Sequence, residues 1–350
     1  MNIATIVRPI PRGVSAGVDF LGRRAHGLAM ANVAAQIGII VTGGLVRLTD
    51  SGLGCSDWPH CEPGAFTPEY HAAAGIHGFI EFGNRMLTFI LVIIAALLAI
   101  AIWRARPQFK WLGIVPGLGI IAQAVLGGIV VLLDLNPLLV GLHMFISAGL
   151  VWISVQIALK VRGAPGRDGL PMPGLLGASR ALLMAIVVLG VLTTGAGPHS
   201  GDVNATERLA LDPAIIARVH GVAVALYLLV VIWIIYRVRA DRSIGHRDEV
   251  RKAWIVVLVV TLAQGVVGVT QYFTGLPELL VGVHMLGIGL LVAAQAAANH
   301  LLRSDLHNNL RSNEQAQLIP SLLSGFSASN GPVPSAHQTR LARPTHPLNE

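Results

Sequence analysis

A chain of 350 residues is long enough for two soluble domains, but 53% hydrophobic residues, only 12% charged ones and a mean hydropathy of +0.66 exclude ordinary aqueous packing. The bilayer is the expected solvent. A net charge of +7 with a pI near 10.1 does not point to nucleic acid, because the basic residues are spread over the ends of apolar runs and report membrane topology instead.

In chain order, residues 1–27 carry Arg8, Arg12, Arg23 and Arg24 without an apolar core or a small-residue cleavage site, so they read as a cytoplasmic arm rather than a cleaved signal peptide. Apolar runs of about 20 residues, enough to cross roughly 30 Å of hydrocarbon, then recur at 28–48, 73–103, 112–133, 138–159, 180–197, 214–236, 254–273 and 279–302. Eight predicted spans result, the fifth being the shortest. The tail, 304–350, is rich in Ser, Asn, Gln, Pro and His, buries too little apolar area to offset chain entropy, and is expected to be disordered cytoplasmic chain.

Of the 25 Lys and Arg, 21 fall in the arm, the 104–110, 160–180 and 237–252 segments and the tail. Positively charged loops stay in the cytoplasm, so both termini are expected there, in a cell membrane. Arg47, Arg85, Arg208 and Arg218 are the exceptions, and the 49–72 loop holds no Lys or Arg.

The sequence repeats. Gln123-Ala-Val-Leu-Gly-Gly followed by Pro137 and His143-Met matches Gln264-Gly-Val-Val-Gly-Val followed by Pro277 and His284-Met, with equal Gln-to-His spacing. Looser matches pair Thr42-Gly43-Gly44 with Thr194-Gly195-Ala196, and Ile76-His77-Gly78 with Val219-His220-Gly221. An even number of spans per half makes this a parallel repeat. The expected fold is an all-α integral membrane protein of two tandem four-helix bundles, 28–161 and 179–303, joined by a cytoplasmic linker at 162–178.

Among thirteen His, His77, His143, His220 and His284 lie within predicted spans, one on each even-numbered helix. Counted from Pro68, Pro137, Pro213 and Pro277 at about 1.5 Å per residue, they are expected at similar depth. Facing imidazoles inside a bundle bind iron from both sides of a porphyrin. The plainer alternative is a set of hydrogen-bonded core histidines, which four repeat-related positions make harder to accept. A zinc site lacks a nearby Cys or carboxylate ligand set on these helices.

Glu81, Asn84 and Arg85 share a helix face with His77, and an unpaired charge at that depth costs several kcal/mol. Glu81 and Arg85 therefore either pair across a turn or face a polar cavity. The repeat alignment puts Val224, Tyr227 and Leu228 opposite them, so acid and base chemistry is expected in the first half alone. Cys55 and Cys61, the only cysteines, lie on the oxidising side, where a disulfide is the expected state. Closing that ring is worth about 2 kcal/mol in the chain-entropy model. A staple and an electron-relaying redox pair both remain open, as do a haem-propionate contact and a solvated place for His199.

The runs Gly43-Gly-Leu-Val-Arg47-Leu-Thr-Asp-Ser-Gly-Leu-Gly-Cys55, Asp57-Trp-Pro-His-Cys61, Ile80-Glu81-Phe-Gly-Asn84-Arg85 and Thr194-Gly-Ala-Gly-Pro-His-Ser-Gly-Asp202, with the paired His143 and His284, resemble the bacterial heme A synthase family over residues 28–302. The usual pattern there is Glu-x-x-His-Arg, so this chain resembles an actinobacterial-like variant with Asn84 in place of the first ligand His. The resemblance implies oxidation of the C8 methyl of heme O to the formyl of heme A for terminal oxidases. It also implies heme b between His220 and His284, a catalytic first half with Glu81 in the chemistry, and a role for the Cys pair. Expected partners are heme O synthase, terminal oxidase assembly and membrane lipid; the electron acceptor stays open.

On this reading heme O enters the first half, with iron on His143 and, by the repeat alignment, on His77; a single ligand, His143, is the alternative. Glu81 would accept a proton or stabilise a cationic carbon, with Arg85 beside it, while Arg47 or Arg218 would meet propionates. The competing class is a non-catalytic di-haem b-type cytochrome passing electrons from quinol, which bis-His pairs alone fit equally well. A transporter is a third reading, suggested by the repeat.

Overall fold

The computed structural model describes residues 12–71, 75–163, 172–199, 201–205, 207–240 and 247–303. The expected disordered tail and much of the 162–178 linker lie outside them. Among the described residues there are nine α-helices and no named strand: α1 (Arg12–Arg23), α2 (Ala25–Leu48), α3 (His77–Ala105), α4 (Lys110–Leu132), α5 (Pro137–Arg162), α6 (Pro173–Ala196), α7 (Pro213–Ala240), α8 (Arg247–Phe273) and α9 (Glu278–Arg303). Eight of them, α2 to α9, are long and apolar enough to cross a membrane, and the chain is a multi-pass membrane protein.

Helix ends follow local chemistry. Pro137 starts α5 where its missing N–H is no loss, the Asn136 side chain accepts from Leu138 N–H, and Gly163 ends the helix in the left-handed conformation. Pro213 opens α7 in the same way, with the Asp212 carboxylate accepting from the N–H groups of Ala214 and Ile215.

Packing follows chain order. Helices α2, α3, α4 and α5 form one ring of neighbours, since α2 packs on α3, α3 on α4, α4 on α5 and α5 back on α2. Helices α6 to α9 form the second ring, in which α6 closes on α9 more loosely. Helices α2 and α5 then pack on α9, and α5 on α6, which joins the bundles. Within each ring the even-numbered spans, α3 and α5 or α7 and α9, stand diagonally across the centre.

The interior is apolar with a few satisfied polar groups. In the second bundle Tyr227, Val231, Ile234 and Trp254 are fully buried, and the Tyr227 hydroxyl donates to Gln295 Oε1 at 2.5 Å while Gln295 Nε2 donates to Ser179 Oγ at 3.2 Å. Between the halves Asn32 Nδ2 donates to Ser154 Oγ at 2.8 Å. Such pairing removes most of the cost of burying these groups in a low-dielectric interior.

Within the arm, α1 lies against α3, with Asp19 paired to Arg104. Two helix starts differ from the predicted span bounds. The fifth span starts at Pro173 and runs for 24 residues, because Arg180 is accommodated inside it by donating to the Leu176 carbonyl at 3.1 Å. The second span's helix starts at His77, after Gly75 with its positive φ of 59°; the expected start at residue 73 lies outside the described residues.

Candidate functional site

His143 lies six residues past Pro137 on α5, His220 seven past Pro213 on α7, and His284 six past Glu278 on α9. His77 does not share this depth. It is the first residue of α3, about 10 Å toward the loops, and its Nδ1 is 2.8 Å from Ser51 Oγ. The residue at the common depth on α3 is Asn84, seven past His77.

A second element, which sequence reasoning missed, fixes that register. On each odd-numbered span a glycine faces the side chain on the span that follows. A methyl placed on Gly127 of α4 would lie 3.4 Å from His143 Cε1, one on Gly190 of α6 3.3 Å from His220 Cε1, and one on Gly268 of α8 3.3 Å from His284 Cε1. The fourth pair is Gly43 of α2, whose methyl would lie 3.9 Å from Asn84 Nδ2. Gly43, Gly127 and Gly268 each stand five residues before their helix ends, and Gly190 six before Ala196. A glycine recurring at that distance from the end of every odd span was the available signal.

The repeat alignment is corrected accordingly. Asn84 matches His220, so Glu81 matches Ala217 and Arg85 matches Gly221, replacing Val224 and Leu228. The first half still carries the Glu81–Arg85 pair, and the second has Ala217 and Gly221 at those positions.

The Cε1–Nδ1 edge of each imidazole is turned to its glycine, and none of the three buried Nδ1 atoms makes a hydrogen bond of ordinary geometry. Orphaned imidazole nitrogens, glycines in place of side chains and diagonal helices suit a flat iron-containing group. Gln123 steadies the first site by donating to the His143 carbonyl at 2.9 Å and to Ser147 Oγ at 2.5 Å.

Toward the loop face, Glu81 is buried at 5% exposure and pairs with Arg85 one turn on, Arg85 Nη2 to Glu81 Oε1 being 2.5 Å. The other carboxylate oxygen accepts from Cys55 N–H at 2.8 Å. Arg85 Nη1 also donates to the carbonyls of Asp57 and His60, each at 2.9 Å. Glu81 and Arg85 thus tie the 55–61 loop to α3. Cys55 and Cys61 are bonded in a disulfide and fully buried. Trp58 from the same loop rests on α4 at Gly128, where a methyl would come within 2.5 Å of the indole. The loop covers the first bundle beside Gly127 and His143.

Arg47 and Arg218 are not alike. Arg47 donates to the carbonyls of His199 and Thr194, and His199 Nε2 is 3.0 Å from the Leu276 carbonyl, so these residues connect the two halves at the loop face. Arg218 is exposed on α7 and makes no hydrogen bond or ion pair among the described residues. In the 62–71 loop Glu62, Glu69 and His71 cluster, with Glu62 Oε2 and His71 Nε2 at 3.0 Å. The hydrogen bond to Glu62 lifts the His71 pKa above its usual 6.5 and lowers that of Glu62 below 4.5.

A profile of the family described as "Cytochrome oxidase assembly protein" matches residues 27–198. The heme A synthase of Bacillus pumilus (strain SAFR-032) is 34% identical over 125 residues, covering 34% of this chain and 39% of the relative. That of Lysinibacillus sphaericus (strain C3-41) is 36% identical over 126 residues, covering 33% and 38%. That of Geobacillus thermodenitrificans is 24% identical over 270 residues, covering 71% and 82%. The chain thus spans less than two fifths of the first two relatives and about four fifths of the third. By these matches and the motifs they cover, the chain is similar to heme A synthases, and over residues 27–198 to the cytochrome oxidase assembly family.

Proposed function

We propose that the chain is a heme A synthase, oxidising the C8 methyl of heme O to a formyl group, with the first bundle as the reacting half. The carrying observation is an asymmetry. Both bundles hold side chains at one depth against glycines, but only the first adds a buried Glu81–Arg85 pair and a disulfide loop over that depth. Plain electron transfer needs the shared part and not the added one.

In this reading His220 and His284 hold heme b in the second bundle, and His143 holds the iron of heme O in the first. Bound haem supplies redox chemistry at iron; the chain supplies position, exclusion of water and a proton site. Glu81 lies about one turn outward of the iron-binding depth, where its carboxylate can take a proton leaving the methyl or stabilise a cationic carbon. Arg85 pairs with that carboxylate and orients it, and Trp58 with the disulfide loop excludes solvent above it. Cys55 and Cys61 act here as a staple. The basic ends of the helices face the cytoplasm of a cell membrane, which places the disulfide on the oxidising side. Heme O synthase and terminal oxidase assembly stand on either side of the reaction.

Pigment extraction from purified protein tests this reading. Heme O or heme A beside heme b is the expected result. Heme b alone supports the non-catalytic cytochrome.

A further inference from the structure

Four glycines set four side chains at a common depth, and three of these are imidazoles. The fourth, Asn84, is an amide, which offers iron only a carbonyl oxygen or a nitrogen with a delocalised lone pair. We propose that the first bundle is a one-ligand haem site. His143 is its only protein ligand, and the side bounded by Asn84 and Gly43 receives a small axial ligand of the carbon monoxide or cyanide class. The assignment rests on the reading that this bundle takes a haem.

Among the described residues, none of His77, Glu81 and Arg85 replaces the missing imidazole. His77 stands about 10 Å outward, is engaged by Ser51 Oγ, and is held from behind by Gly54, where a methyl would lie 2.5 Å from the His77 carbonyl carbon. Glu81 and Arg85 are turned to the loop, one accepting from Cys55 N–H and the other donating to the carbonyls of Asp57 and His60. Asn84 Oδ1 is buried without a hydrogen-bond partner, so the amide is not tied to another group through its oxygen. Its Nδ2 can donate to whatever occupies the axial position. On the opposite helix His143 has the firmer support, through Gly127 behind its ring and Gln123 on its carbonyl.

The test uses the full chain reconstituted with two equivalents of haem b, reduced, and titrated with carbon monoxide by difference absorption. Carbon monoxide should bind one haem of the two. Asn84→His should lower that occupancy by about tenfold or more and add a second six-coordinate low-spin signal, whereas His77→Ala should leave both unchanged. If Asn84→His does not accumulate, His143→Ala decides, because it should remove the carbon monoxide-binding haem. The proposal is overturned by two bound haems that both refuse carbon monoxide, by binding gained only on His77→Ala, or by a carbon monoxide-binding haem that survives His143→Ala. Uptake of a single haem that disappears with His220→Ala also overturns it. A protein that binds carbon monoxide as described yet forms no heme A leaves this assignment standing and ends the synthase reading instead.

Discussion

In the first bundle the residue after Gly127 is Gly128, and Trp58 rests in the space it leaves; in the second the residue after Gly268 is Val269, which is 60% exposed. The same contrast recurs one helix away, where Glu81 and Arg85 in the first half face Ala217 and Gly221 in the second. Holding a planar group needs only the part that repeats: a glycine against a side chain at one depth on each of two diagonal helices. Reacting on one of its edges needs a charge that is held in place and kept from water, and that is found in one half only. In the proposed function the repeated part is the holder, and the difference between the copies carries the chemistry.

The largest effect should come from breaking the repeated part. His220→Ala or His284→Ala should abolish the low-spin b-type spectrum of the second bundle, and absorption spectra of purified protein check it; an unchanged spectrum with both replaced removes this site. Next comes the unique part. Glu81→Gln keeps the acceptor for Cys55 N–H and should leave the second-bundle haem in place. Heme A formed per mole of intact protein should fall by about 100-fold or more. Arg85 retains the carbonyls of Asp57 and His60 in this variant, so the folded yield should change little. Normal conversion per molecule with reduced yield would instead make the pair purely structural, since an Arg left unpaired in the interior costs about 3 to 5 kcal/mol.

A smaller effect makes the halves alike. Gly128→Val, the residue of the second half, should expel Trp58 and destabilise the loop by about 1 to 3 kcal/mol, read as a lower Tm and a more quenchable tryptophan. Quenching equal to that of the unaltered chain would remove Trp58 as a cover.

The smallest concerns the exposed 62–71 loop, which the second half lacks. Glu62 is lowered and His71 raised by their contact, so its contribution is complete between the ordinary values of 4.5 and 6.5. It is lost as pH falls through the lowered Glu62 value or rises through the raised His71 value. Glu62→Gln should return His71 to its ordinary range in an NMR titration, and an unmoved His71 would exclude the pairing.

All eight spans were legible because transfer to hydrocarbon is summed over many residues and tolerates local errors. Their ends were less so. The apolar residues before His77 read as helix, although Gly75 turns the chain there, and composition alone cannot separate an apolar turn from an apolar helix. Counting His77 from Pro68 then set it too deep, and the repeat was aligned on a His-Gly dipeptide in place of the glycine partner. Arg180 hid the start of α6 because a charge looks like the end of a span until its guanidinium finds a carbonyl. The pairing of Glu81 with Cys55 N–H was beyond reach, since it joins residues 26 apart through a loop of unknown path.

Arg47 leaves α2 to meet the carbonyls of Thr194 and His199, at the ends of the helices opposite the stretch that links α5 to α6. The bundles are therefore fastened at the loop face by side chains and at the basic face by the polypeptide itself, with α2, α5, α6 and α9 packed between. The covalent joint is one fastening of several, and its main contribution is effective concentration. Cut between Gly163 and Met172 and expressed as two polypeptides in one membrane, the halves have what they need to find each other. The gene can be split there, and each half altered, labelled or supplied separately.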